Sequence, residues 1–125
     1  MEVPERLRRI WAGELAVPAY GPRVAEVFDE PEGYCFDLFG PEEVAADTAA
    51  LKREAADAEL RPLWIEPGIG VDPERTWLIG SLGADLPIAL DFRTSPPRVL
   101  FLAVPGWRVV AEDFDAFWEL LTAGQ

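Results

Sequence analysis

The side chains in this sequence that could do chemistry are mostly carboxylates, because its 125 residues include 23 acids and no histidine. Without histidine, neither a Ser-His-Asp nor a Cys-His arrangement can form, and a histidine-ligated zinc site is also excluded. The densest acidic group, Glu112, Asp113 and Asp115, stands at the predicted start of a helix. Acids there stabilise the positive end of the helix dipole, so we interpret the group as structural. A carboxylate enzyme, such as a glycoside hydrolase with paired acids, stays the alternative.

Two glycine-containing loops and the single lysine are weaker candidates for chemistry. Gly68-Ile69-Gly70 and Gly80-Ser81-Leu82-Gly83 resemble phosphate loops, but neither is followed by the Lys-Ser/Thr pair and the helix start that such loops require. Lys52 lies on a polar helix face beside Arg53 and Glu54, which predicts a solvated lysine rather than a Schiff-base lysine. The sequence therefore predicts no catalytic residue, no metal site and no cofactor.

The charge balance is strongly acidic, because 23 acidic and 11 basic side chains give a formal net charge of −12. A chain of this charge repels nucleic acid and anionic lipid and attracts basic proteins. We therefore expect a basic protein partner, no nucleic acid and no membrane. The competing interpretation is that the charge only keeps the protein soluble.

Length and composition predict one globular domain over residues 1–125, since half of the side chains are hydrophobic and 27% are charged. No apolar stretch reaches the roughly 18 residues of a membrane span, and the acidic N-terminus is unlike a signal peptide. The single Cys35, between Tyr34 and Phe36, cannot form an internal disulfide and is predicted to be a small buried residue. These features predict a cytoplasmic location.

The N-terminal half is predicted to hold two helices and one strand. The first helix spans Val3 to Trp11, whereas prolines and glycines in residues 15–33 predict a loop or a broken helix. A strand follows over Tyr34–Phe39, and a long helix runs from Pro41 to about Leu60. The helix is predicted to bury a stripe made of Val44, Thr48, Leu51, Ala55 and Ala58.

The C-terminal half is predicted to be an antiparallel meander closed by a helix over Glu112–Leu121. The connections are too short for parallel crossovers, and Pro105-Gly106 is short enough for a hairpin. The candidate strands are Leu63–Ile65, Thr76–Ile79, Ile88–Phe92, Val99–Val104 and Trp107–Val110. The predicted fold class is α+β, with an antiparallel or mixed sheet of about five to six strands, helices packed on it and the C-terminal helix covering the sheet.

Four segments, in order along residues 36–121, together resemble the SUKH superfamily. Trp77–Phe92 contains an "IG", a Gly/Asp-containing turn and a strand that ends in "LD", and Arg98–Leu102 is similar to the family's next strand. Val109–Leu121 is similar to its closing A-x-x-F-x-x-F-x-x-L helix, and Phe39–Val44 is similar to its G-x-E-E step from strand to helix. The resemblance implies an α+β domain without catalytic activity. In bacteria it implies an immunity protein that binds and neutralises a polymorphic toxin, commonly a nuclease or deaminase; in eukaryotic relatives, a regulatory scaffold.

Two acidic loops and a tryptophan are the predicted partner-binding residues. The first loop is bounded by proline and glycine, and the second lies in the glycine-rich stretch before Trp77, where an exposed aromatic side chain would be a binding hot spot. The residues are Asp29, Glu30, Glu32, Asp72, Glu74 and Trp77. For each loop, the alternative interpretation is an ordinary solvated turn.

Asp91 and the other tryptophans are given mainly structural roles. Asp91 alternates with Leu90 and Phe92, so we expect it on the opposite sheet face, paired with Arg93 or Arg98. The binding alternative for Asp91 stays open. Trp11 and Trp118 lie on apolar helix faces and are predicted to be core residues, while Trp64 and Trp107 are left unassigned.

Overall fold

The computed structural model describes residues 1–30, 35–83 and 85–123. In chain order, the elements of these residues are helices and strands joined by short loops. They are α1 (Glu5–Trp11), α2 (Pro22–Phe28), β1 (Asp37–Leu38), α3 (Pro41–Ala55), α4 (Arg61–Trp64), a 3-10 turn (Pro73–Arg75), β2 (Thr76–Ser81), β3 (Pro87–Asp91), β4 (Arg98–Ala103), β5 (Gly106–Ala111) and α5 (Phe114–Thr122).

The strands form one antiparallel sheet in the order β1-β2-β3-β4-β5, so each strand pairs with its neighbour along the chain. Short loops join β2 to β3, β3 to β4 and β4 to β5, whereas α3 and α4 lie between β1 and β2; the tightest loop is the β4–β5 hairpin, in which Ala103 pairs with Gly106. Helix α5 packs against β4 and β5. The predicted α+β class, with an antiparallel sheet covered by the C-terminal helix, is confirmed.

Side chains that alternate along the strands bury both faces of the sheet. On one face, Ile79, Leu90 and Phe101 join a cluster with residues of α1, α2 and α5. On the other face, Leu78, Ala89 and Leu100 form a second cluster with the C-terminal half of α3. Because helices or loops occupy both faces, the surface left for a partner consists of clefts, loops and strand edges.

Helix α3 forms largely as predicted. Pro41 occupies its first turn with Glu42 and Glu43, which stabilise the positive end of the helix dipole. Its stripe of Val44, Thr48, Leu51 and Ala55 is buried, but the helix ends at Ala55 and Ala58 is exposed.

The predicted strand Leu63–Ile65 is wrong, because Leu63 and Trp64 belong to the one-turn helix α4. A short apolar run does not distinguish a strand from a buried helical turn. Here Pro62, in the first turn of α4, favours the helix since its ring fixes φ near the helical value.

The segment predicted to be a loop or broken helix contains α2, which buries Val24 and Phe28 and ends at Asp29 in the left-handed conformation. The predicted strand Tyr34–Phe39 shortens to β1, and Tyr34 lies outside the described residues. Cys35 is exposed, so its predicted burial is wrong. Successive side chains of an extended backbone point to opposite sides. Because the Phe36 side chain points inward and is buried, that of Cys35 points outward.

A loop covers part of the outer edge of β5. Trp107 donates its backbone N–H to Pro67 and accepts from Ile69 at its carbonyl, both at 3.1 Å. Gly68 and Gly106 approach so closely that a Cβ on either would lie 2.4 Å from a backbone atom. The indole of Trp107, buried below the loop, donates to the Trp64 carbonyl at 2.7 Å.

Candidate partner-binding surface

The second acidic loop is held by its own hydrogen bonds and by α3. The Asp72 carboxylate accepts from the Glu74 backbone N–H at 3.0 Å, and the Thr76 hydroxyl donates to the Asp72 carbonyl at 2.6 Å. The exposed Glu74 carboxylate lies 3.9 Å from the Lys52 ammonium. The loop is therefore an ordered turn, which places its acids beside α3.

Trp77 follows this loop on β2 and is half-buried. Its ring stands edge-on to that of Phe92, with the centroids 4.7 Å apart, a favourable geometry for two aromatic rings. This contact fixes one part of the indole while another part stays exposed. Trp77 therefore combines a rigid position with an accessible apolar surface.

The accessible part of Trp77 lines an open apolar cleft of about 410 Å³ between β2, α1 and α3. The half-buried Val3 and Trp11 and the buried Val44 also line the cleft, and α3 contributes the exposed Ala45 and Ala49. The spacing of four residues places these two alanines on one side of the helix, and their small size keeps the cleft open.

The polar groups at the cleft are already paired within the protein. The Trp11 indole N–H donates to the Phe39 carbonyl at 2.7 Å, and the Thr48 hydroxyl accepts from the Leu78 backbone N–H at 3.1 Å. The walls therefore offer mainly apolar contact, which suits an apolar side chain of a partner.

Charged side chains lie near the cleft. Lys52 lines it and pairs with Glu74, and Glu2, which precedes Val3, lines an adjoining surface depression. Glu42 lies three residues before Ala45, on the same side of α3, and is also exposed. An apolar cleft with acidic residues nearby favours a partner that inserts an apolar side chain and carries basic residues next to it.

The first acidic loop lies elsewhere, at the end of α2. Asp29 is exposed at the C-terminus of this helix, and the Glu30 carbonyl is 3.5 Å from the Tyr20 hydroxyl. Glu32 lies outside the described residues. The structure thus brings Asp72, Glu74 and Trp77 together at β2 and leaves Asp29 and Glu30 at the end of α2, where the Phe28 carbonyl accepts from Arg108 of the distant strand β5.

Asp91 is fully buried, and its carboxylate forms ion pairs with two arginines. Its carboxylate oxygens accept from Arg93 Nε at 2.9 Å and from Arg98 Nε at 2.8 Å, which confirms the predicted pairing. Burial opposes its ionisation, but these hydrogen bonds outweigh burial and hold the pKa of Asp91 below its ordinary value. A carboxylate fixed in this way is a structural anion rather than an acid or base.

A larger open depression, of about 790 Å³, lies between the N-terminus and residues 94–97. Three of the acids that line it already have partners: Asp113 accepts from the Ala116 backbone N–H at 2.7 Å, Asp115 pairs with Arg6 at 3.0 Å, and Glu5 pairs with Arg8. Asp113 therefore begins α5 as predicted for the acidic group. Within the described ranges, no group of three or more acids and cysteines is arranged to hold a metal ion.

Of the predicted partner-binding residues, Trp77 lines the cleft and Glu74 lies beside it, paired with the lining residue Lys52. The sequence predicts Trp11 to be a core residue, but it is half-buried and lines the cleft. Ala45 and Ala49 gave one usable signal, since two alanines four residues apart on the polar side of an amphipathic helix mark a place where large side chains are absent.

Comparison with known proteins yields no similarity on which to rely: no family model matches the chain, and neither curated proteins nor solved structures give a significant match. In the part of the chain that the structure describes, no helix is long and apolar enough to cross a membrane.

Proposed function

We propose that this chain is a non-catalytic protein-binding domain that recognises a basic protein. Its resemblance to the SUKH superfamily makes the specific role an immunity protein, which neutralises a bacterial toxin of the nuclease or deaminase type. The observation that carries the binding role is the apolar cleft lined by Trp77, with Glu74 paired to the lining residue Lys52 and Glu42 one turn before Ala45 on α3, on a chain of net charge −12. A regulatory or scaffold role is the alternative.

The cleft and the charge supply different parts of binding. An apolar side chain fully buried in the cleft contributes about 1.5–3 kcal/mol, and a rigid tryptophan is a typical hot spot. The acidic field increases the rate of encounter with a basic surface. A nuclease or deaminase needs a basic surface to bind its substrate, so an acidic inhibitor can occupy the phosphate path.

The test first asks whether a gene next to this one encodes a toxin-like domain, and then co-expresses that domain with this chain and measures growth; a neighbourhood without such a gene would count against the immunity role. We expect wild-type protein to restore growth and Ala45→Arg to fail, because an arginine there fills the cleft and repels a basic partner. Ala46→Arg is the matched control, since it adds the same charge at the next exposed position, outside the cleft lining. Both variants should keep the wild-type melting temperature because arginine is a good helix former.

Two outcomes would contradict the proposal. Equal protection by Ala45→Arg and Ala46→Arg would exclude the cleft as the binding site. Stable binding of a basic partner without any protection from it would favour the scaffold role.

A further inference from the structure

The outer edge of β5 is only partly covered. At Trp107, both backbone groups point outward and bond to the loop at Pro67 and Ile69. In an edge strand, the backbone N–H and C=O groups of every second residue point away from the sheet. Val109, two residues after Trp107, therefore also directs its backbone N–H and C=O outward. Gly70 bonds back to Pro67, which ends the covering segment, and no hydrogen bond from the described part of the chain reaches this outer side of Val109.

The edge that the described residues leave uncovered is short and accessible. The β4–β5 register shifts after Val109, because Leu100 pairs with Val109 and Val99 with Ala111, which leaves Val110 as an extra residue. The Val109 side chain is 44% exposed, and Val104 at the hairpin is 94% exposed. An edge with free hydrogen-bonding groups and exposed apolar neighbours is a template for another strand.

Arg108 links this edge to the first acidic loop. Its guanidinium lies 5.4 Å from the ring centre of Phe101 and donates to the Phe28 carbonyl at the end of α2. Asp29 and Glu30 follow Phe28 directly, so these acids lie beside the edge at Arg108. Asp29 has no ion-pair partner among the described residues.

We propose that the β5 edge at Val109 binds an extended, basic segment of a partner protein by strand addition. The backbone of the segment pairs with Val109, and its lysine or arginine side chains meet Asp29 and Glu30. A second copy of this chain fits less well, because two molecules of charge −12 repel each other and would bring the same acids together. This surface is separate from the Trp77 cleft, so it does not depend on the function proposed for that cleft.

The experiment uses an eight-residue peptide of alternating Lys and Val, with a Glu-Val peptide as the charge control. Binding is followed by fluorescence anisotropy with wild-type protein, Val109→Ala and Val109→Pro. Alanine keeps the outward N–H and proline removes it, and proline is tolerated in an edge strand where the N–H faces solvent. We expect Val109→Pro to bind about fivefold more weakly than Val109→Ala, the effect of one lost hydrogen bond.

Two further measurements do not require the proline variant. Hydrogen exchange of the wild-type Val109 amide should slow when the Lys-Val peptide binds. Asp29→Asn with Glu30→Gln should weaken binding of that peptide, and asparagine suits the left-handed backbone at position 29. The Glu-Val peptide should not bind.

Several results would overturn the proposal. These are equal affinity of folded Val109→Pro and Val109→Ala, unchanged exchange at Val109, or no binding of the Lys-Val peptide to wild-type protein. Loss of peptide binding in Ala45→Arg alone would place the peptide in the cleft instead. A dimer seen by sedimentation and lost in Val109→Pro would make a second copy the occupant.

Discussion

At the scale of single residues, Asp91 shows how one buried charge can organise a hairpin. It ends β3 and holds Arg98 at the start of β4 and Arg93 in the turn between them. Arg93 also donates to the Gly70 carbonyl at 2.8 Å, which links the hairpin to the loop before β2. Removing the Asp91 carboxylate would therefore take this acceptor from both arginines, leave Arg93 with the Gly70 carbonyl, and loosen both connections.

We expect Asp91→Asn to destabilise the fold by roughly 2–3 kcal/mol at neutral pH, below the full cost of breaking a buried pair because both arginines keep contact with solvent. The folded pKa lies below the unfolded value, so Asp91 stabilises the protein above about pH 4. This contribution is lost as pH falls through the folded pKa. Urea unfolding of the wild-type protein and of Asp91→Asn across pH 2–7 should show that the difference between their unfolding free energies becomes smaller at acidic pH.

Asp37→Asn is the control for general charge, since the side chain of Asp37 is exposed. Its unfolding free energy should stay close to that of wild-type protein over the same range. A pH-independent difference between wild-type protein and Asp91→Asn would contradict the assignment.

At the scale of elements, α5 is the helix whose packing can be tested most directly. Phe117 is fully buried, and its ring lies 5.8 Å from those of Phe28 and Phe114. Phe117→Ala should cost about 3–5 kcal/mol through lost contact and cavity formation. Leu120→Ala, on the exposed side of the same helix, should cost less than half as much. Chemical denaturation measures both, and equal losses would show that α5 does not cover the core as described.

Elements with strong periodicity or clear end signals were predictable from sequence. Pro41, two acids and a regular buried stripe specify most of α3, and short connections specify the meander. The helix α4 was not predictable, because three apolar residues after Pro62 fit a strand as well as a helical turn. In α2, nearby Pro18, Gly21 and Pro22 obscured a single turn of buried residues.

The candidate site was less predictable than the fold, for a physical reason. Trp11, Val44 and Trp77 come from three elements and meet only when α1 and α3 pack beside β2. Local patterns specify which side of a helix is apolar, but they do not specify where two packed elements leave a gap. Glu74 could be proposed from charge alone, whereas the pairing of Glu74 with Lys52 required the tertiary structure.

At the scale of the whole molecule, the net charge should control association more than stability. Binding of a verified basic partner should be faster at low salt, because charges are screened over about 10 Å at 0.1 M ionic strength. The double variant Glu42→Lys/Glu74→Lys should associate with the partner more slowly than wild-type protein. The double variant Asp37→Lys/Glu119→Lys should slow association less. Both pairs change the net charge equally, but only the first lies at the cleft. Stopped-flow measurements should show equal rates if only total charge matters.

The close contact of Gly68 and Gly106 makes these positions intolerant of any side chain. An alanine at either one would place a methyl group against backbone, which has little room to move, and would push the loop of Pro67–Ile69 away from β5. At Gly40, by contrast, a Cβ would meet nothing within 4 Å. In a library of all substitutions selected for folded protein, Gly68 and Gly106 should be depleted of every replacement while Gly40 accepts alanine. Detaching this loop would also expose more of the β5 edge, so variants at these two glycines should be prone to aggregate through strand pairing.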